Sequence, residues 1–304
     1  MYRHLVFLGC TCALCLFALP ITSDCRTWRV NVNGTGDAPT IQAAVDSSAS
    51  GDTILVAPGV YVQGTVMIIG KDTLMVMSEQ GPAETFIESR LVIYSSSYIT
   101  IEGFTFENSS WSGIYAYLSE HLVLRGNVVR KAVESAVALE RSTDVTISGN
   151  AIYSNGGGIH CMDLTSSVNV HGNTIAHNTS SGFSADDINY SISNNIIVYN
   201  KIGVSLTVGT FNCNDVYGND INYALLFVPD PTGSNGNISM APLFCGVDPA
   251  SSGNYYLQRA SPCAPGNNPE DPSCGLIGIY DVGCGDTSAK KTTWGEIKAI
   301  LGRP

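Results

Sequence analysis

The chain has 304 residues, enough for a sizeable core or one elongated repeat array, and only 13% of them are charged. Its 31 glycines and its many Ser, Thr and Asn describe a turn-rich β protein with few helix-forming surface residues. A net charge of −11 argues against nucleic acid or anionic membrane as a partner, whereas acidic polysaccharide stays open because calcium can bridge carboxylates.

The N-terminus reads as a secretory signal. Arg3 and His4 form a short basic start, residues 5–19 are apolar but too short to span a bilayer comfortably, and Ile21-Thr22-Ser23 is a plausible cleavage site. Loss of residues 1–23 would remove Cys10, Cys12 and Cys15 and leave a mature chain with no membrane span; a retained anchor is the alternative. Thr40 then caps a predicted short helix, Ile41-Gln42-Ala43-Ala44-Val45-Asp46. Residues 52–62 read as the first coil of a repeat array.

Gly126-Asn127, Gly149-Asn150 and Gly172-Asn173 recur every 23 residues, with Gly103-Phe104 one period earlier and Asn194-Asn195 22 residues later. A period of this length marks a solenoid whose units bury their apolar faces against their neighbours. Each unit holds three short alternating stretches. One set is Ile99/Ile101, Leu122/Leu124, Val145/Ile147 and Val168/Val170; a second is Phe106, Val129, Ile152, Ile175 and Ile197. The third set includes 113–117, 136–140, 158–162, 182–186 and 203–207. Three strands of period two per unit predict a coil with three faces, so stacked coils build three parallel sheets. Asn127, Asn150, Asn173 and Asn195 form one predicted ladder, and Asn155, Asn178 and Asn200 a second.

Regular coils are expected over about 90–215 and a C-terminal cap over about 216–285, within a β-helix domain at 24–285. Eight prolines between residues 229 and 272 break regular strands there. Cys161 falls on an inward position. Cys25, Cys213, Cys245, Cys263, Cys274 and Cys284 could form three bridges, most of them in the cap. Residues 286–304 read as a linker and tail helix, with Trp294, Ile297, Ile300 and Leu301 on one face.

This pattern of coils, together with the helix and strand at 40–61, resembles the right-handed parallel β-helix proteins of the pectin-lyase-like superfamily. The resemblance covers roughly residues 30–285 and implies an all-β, three-sheet solenoid closed by an N-terminal helix. It names no enzyme family. The Arg/Lys-rich catalytic stretch of typical pectate lyases and the paired aspartates of pectin methylesterases are both missing.

Alternation separates the faces of the third strand set. One outward column is Tyr115, Ala138, His160, Ser184, Ser205, and the next is Tyr117, Glu140, Met162, Asp186, Thr207. Arg141, Asp163 and Asp187 lie just past these strands, at the corner. Tyr115 and Tyr117 are candidate sugar-stacking residues beside carboxylates that accept hydroxyl hydrogen bonds. Three chemistries stay open. Asp163, Asp186 and Asp187 could hold calcium against a uronic acid while Arg141 or His160 abstracts a proton, as a lyase or epimerase requires. Glu140 and Asp186 could act as an inverting hydrolase pair. The carboxylates could also be solvated surface groups. The expectation is a secreted protein that binds extracellular polysaccharide, with lyase, epimerase or hydrolase activity open. A non-catalytic structural or adhesive surface module is the alternative.

Overall fold

The computed structural model describes residues 25–284 apart from 164, 187, 188 and 247. The signal-like segment, the tail at 286–304 and Asp187 lie outside the described residues. Within them the chain winds into a three-sided solenoid. Sheet A has nine strands, from Thr27–Val30 to Gly209–Asn212. Sheet B has eight, from Gly59–Tyr61 to Asp215–Tyr217, and sheet C eight, from Val66–Ile69 to Ile221–Leu225. Every neighbouring pair within these three sheets is parallel, as a solenoid of coils demands.

One coil shows the path. Glu120–Arg125 lies in sheet A, Val128–Arg130 in sheet B and Ser135–Glu140 in sheet C. The register keeps like residues stacked. Leu122 pairs with Val145 and then Val168, and Ile114 with Val137, Ile159, Phe183 and Val204. All of these point inward and are buried, as the alternation predicts, and so is Cys161.

The corners explain the Gly-Asn pairs. Gly126, Gly149 and Gly172 turn the chain from sheet A to sheet B with φ of 58–64°, a region open to glycine, and Asn194 takes φ 53° at the same corner. The asparagine next in the chain turns inward and bonds along the stack. Amide-to-amide bonds run from Asn127 to Asn150, Asn173, Asn195, Asn214 and Asn237. The second ladder likewise extends past Asn200 to Asn219 and Asn222. A third ladder stands at the corner from sheet C to sheet A. There the backbone N–H groups of Ser96, Ser119 and Ser142 donate to the hydroxyls of Ser119, Ser142 and Thr165.

The two ends are closed differently. Thr40 accepts a hydrogen bond from the Ala43 N–H at 3.0 Å and starts the helix Ile41–Ser47. That helix buries Ile41, Ala44 and Val45 over the first coils. Thr27–Val30 already pairs with Thr53–Val56, so sheet A begins before the helix rather than at residue 52. At the other end Asn237 completes the ladder and Ile238 bridges to Asp215. The chain then folds back along the outer face of sheet B. There Ala151, Tyr153, Ala176, Ile196 and Val198 form a second core with Phe244, Tyr255, Leu257 and Ile277. Asn194 fixes this return by donating to the carbonyls of Cys274 and Leu276 at 2.7 and 3.1 Å. The three-bridge expectation is corrected to two disulfides, Cys213–Cys274 and Cys245–Cys284. Cys263 is buried against Asp215 and Cys25 is exposed, so no third pair can meet.

Candidate functional site

The outer face of sheet C carries the two columns read from the sequence. Tyr115 pairs with Ala138 and Ala138 with His160, while Tyr117 pairs with Glu140 and Glu140 with Met162. One coil earlier the second column continues to Tyr94 and then Ile69. The result is a row of aromatic rings across adjacent strands. Tyr94 and Tyr117 stack with centroids 5.5 Å apart at 25°, and Tyr115 lies 6.4 Å from Tyr117 at 13°. Such pairs contribute about 0.5–1.5 kcal/mol beyond their buried area, enough to hold the rings parallel to one another.

Glu140 positions this row. The Tyr115 hydroxyl donates to Glu140 Oε2 at 2.6 Å. Burial and the Glu140 carboxylate together push the Tyr115 phenol up to about 12, so it remains a protonated donor at every physiological pH. Arg90 lies over the Tyr115 ring, its guanidinium carbon 5.3 Å from the centroid. Arg90 Nε is buried and without a hydrogen-bond partner. Arg141 Nη1 donates to the Tyr117 hydroxyl at 3.4 Å. Arg26, Arg29, Arg125 and Arg130 each pair with a carboxylate. Among the described residues Arg90 and Arg141 make no ion pair. A chain of net charge −11 therefore keeps two uncommitted guanidinium groups beside one row of tyrosines.

Arg141 and Asp163 occupy the corner beyond the strand with φ of 48° and 44°. Leu118 takes φ 50° at the equivalent place, so the left-handed conformation belongs to the corner and not to a catalytic role. Asp163 and Asp186 are exposed, and neither makes a side-chain hydrogen bond or ion pair among the described residues. The one grouping of three ligating side chains among the described residues is Cys213, Asp271 and Cys274, two of which form a disulfide. His160 stands apart from the hydrogen-bonded group. It opens into a groove of about 520 Å³ shared with Glu134, Ser180, Ser181 and Ser184.

The structure thus joins Tyr115, Tyr117, Glu140 and Arg141 into one group and adds Arg90 and Tyr94, which the sequence pattern did not single out. Tyr94 stands one 23-residue period before Tyr117, so the spacing carried its signal. The groove that His160 lines also brings in Glu134, whose Oε2 accepts from the Ser112 hydroxyl at 3.3 Å.

A search of curated proteins finds no match to this sequence. Among solved structures the coil architecture is similar to pectate lyase Pel9A, at 14% identity and a TM-score of 0.43, over 84% of this chain and 96% of that one. It is also similar to the PL6-family alginate lyase AlyGC, at 11% identity and a TM-score of 0.31, over 76% of this chain and 42% of that one. At such values the likeness carries no inference about activity. The family described as right handed beta helix region matches residues 89–254, more than half of the sequence and most of the stacked coils. With the parallel register and the asparagine ladders in place, the chain belongs to the right-handed β-helix family.

Proposed function

We propose that the outer face of sheet C binds an acidic polysaccharide, with its rings laid on Tyr94, Tyr115 and Tyr117 and its carboxylates on Arg90 and Arg141. The observation that carries this reading is the pair of uncommitted guanidinium groups bracketing stacked tyrosines. Partly exposed tyrosine rings offer apolar and hydroxyl contact to sugars, and guanidinium groups suit uronate carboxylates. A flat sheet face several coils long suits an extended chain better than a compact ligand. Export from the cell is part of the proposal and is supported by two disulfides and the signal-like N-terminus.

Catalysis on the bound chain is a second reading, favoured by the groove that His160 and Glu134 line, in which His160 stands two strands from Tyr115 on the same sheet. A histidine or carboxylate there would be the proton acceptor of a lyase or epimerase. Calcium held by Asp163, Asp186 and Asp187 would assist by neutralising the uronate.

Affinity electrophoresis in polygalacturonate and alginate, with calcium or chelator, tests the binding. Arg90→Ala and Tyr117→Ala should each weaken retention at least tenfold with an unchanged melting temperature. Undiminished retention of both variants sinks the site. Release of reducing ends that disappears in His160→Ala would establish catalysis, and retention without release would establish a binding or adhesive module.

A further inference from the structure

Where the returning C-terminal segment stops covering sheet B, the surface has a step. The sheet is buried over Ala151, Ala176 and Ile196 but only partly covered at Phe86 and Val128. At the step lies a groove of about 390 Å³, within the range of small-ligand sites. Its floor is the sheet at Thr105 and Val128, and its wall is Tyr256 and Tyr280 with Tyr153 at the base.

The wall is built rather than incidental. Tyr256 and Tyr280 stack with centroids 4.8 Å apart at 22°. A Cβ on Gly283 would come 2.4 Å from the Tyr256 ring, so backbone lies directly on that ring. Likewise a Cβ on Gly253 would come 2.5 Å from the Tyr153 hydroxyl. Arg130 ties the base together. Its Nε donates to Glu107 Oε2 at 2.8 Å and its Nη1 to the Tyr153 hydroxyl at 3.2 Å. Glu107 is buried, so the one charged side chain lining the groove is already neutralised. What remains is the partly exposed rim of the stacked Tyr256 and Tyr280 pair beside neutral polar groups, the phenols and the Gln80 amide.

We propose that this groove is a second saccharide site, and that it takes an uncharged sugar. Its balanced charge contrasts with the two uncommitted arginines of sheet C, so the two faces select different chemistry. Rings already held in place lower the ordering cost of packing a sugar against them and favour binding.

Isothermal titration of the full chain with cellohexaose, xylohexaose and maltohexaose tests this. At least one should bind, and Val128→Arg, which fills the floor from the solenoid side, should abolish that binding. Tyr256→Ala should weaken it at least tenfold. Because Tyr256→Ala can loosen the returning segment, Val128→Arg is the deciding variant. Tyr117→Ala and Arg90→Ala should bind the neutral hexasaccharide unchanged even if they lose acidic polymer, which separates this site from sheet C. The proposal is overturned if none of the three sugars binds, if Val128→Arg binds as wild type does, or if Tyr117→Ala is the variant that loses the neutral sugar.

Discussion

Asp215 is a fully buried carboxyl in a chain whose other acids lie mostly at the surface. The Met240 N–H donates to its Oδ1 at 3.0 Å and the Cys263 thiol to its Oδ2 at 3.1 Å. Burial outweighs these two donors and pushes the carboxyl up to about 7. Burial and the same contact push the Cys263 thiol well up, so it stays a donor. The folded state therefore holds a proton that the unfolded chain has already lost above pH ~4. Stability from this group is fully present below that pH, falls as pH rises to about 7, and is constant beyond. The full loss is on the order of 4 kcal/mol. Asp215→Asn keeps an acceptor for Met240 and cannot ionise. Urea midpoints from pH 4 to 8.5 should show the variant gaining on the wild type up to about pH 7 and holding level afterwards. A difference that stays flat over pH 4–7 would put this carboxyl in the ordinary range. Nothing in the local sequence marks Asp215, because alternation alone assigns it to an outer face. The chain that buries it arrives 25 and 48 residues later.

Strands and corners were the most legible elements, because two periods coincide in them. Period two assigns faces within a strand, and period 23 assigns neighbours between strands. Together they place Tyr117 beside Glu140 without coordinates. The same logic failed where a face has an unexpected cover. Ala151-Ile152-Tyr153 and Ile196-Ile197-Val198 do not alternate, which is the mark of a strand buried on both sides, and the returning segment buries them. The serine ladder was hidden for a different reason, since serine is as common in solvated turns as in stacked ones. Ladder positions make a direct prediction. Asn150 Nδ2 donates to Leu124 O, Ser148 O and Asn173 Oδ1, and its Oδ1 accepts from the Asn127 N–H. Asn150→Ala leaves several of these groups buried and unpaired, at about 1–3 kcal/mol for each group that water cannot reach. Chemical denaturation should show a loss of about 3 kcal/mol or more. Asn169→Ala, on an exposed position of sheet A, should stay within about 0.5 kcal/mol of wild type. Equal losses at the two positions would mean that the ladder contributes nothing beyond turn geometry.

A solenoid is close to one-dimensional, since each coil meets only the next, and local opening is its natural mode of failure. The returning segment departs from that rule. Ile279 N–H donates to Thr174 Oγ1 across 105 residues, and Gly278 N–H to Asn194 O. Covering sheet B this way ties several coils into one cooperative unit and builds the wall of the neutral groove. The two disulfides maintain it, closing spans of 61 and 39 residues. Loops of that length stabilise by about 4 kcal/mol each in the chain-entropy account. Cys245→Ser with Cys284→Ser should therefore loosen residues 240–284, which stay tied to the solenoid through Cys213–Cys274, without unwinding the coils. Hydrogen exchange is the measurement that separates these outcomes. Amides of Leu257 and Ile277 should exchange at least tenfold faster, while Asn127, Asn150 and Asn173, deep in the stack, keep wild-type protection. Acidic polymer should still bind sheet C, and neutral sugar binding at the step should fall with the loss of its wall. If the ladder amides also lose protection, the returning segment is a strut on which the coils depend and not a cover laid over a finished solenoid.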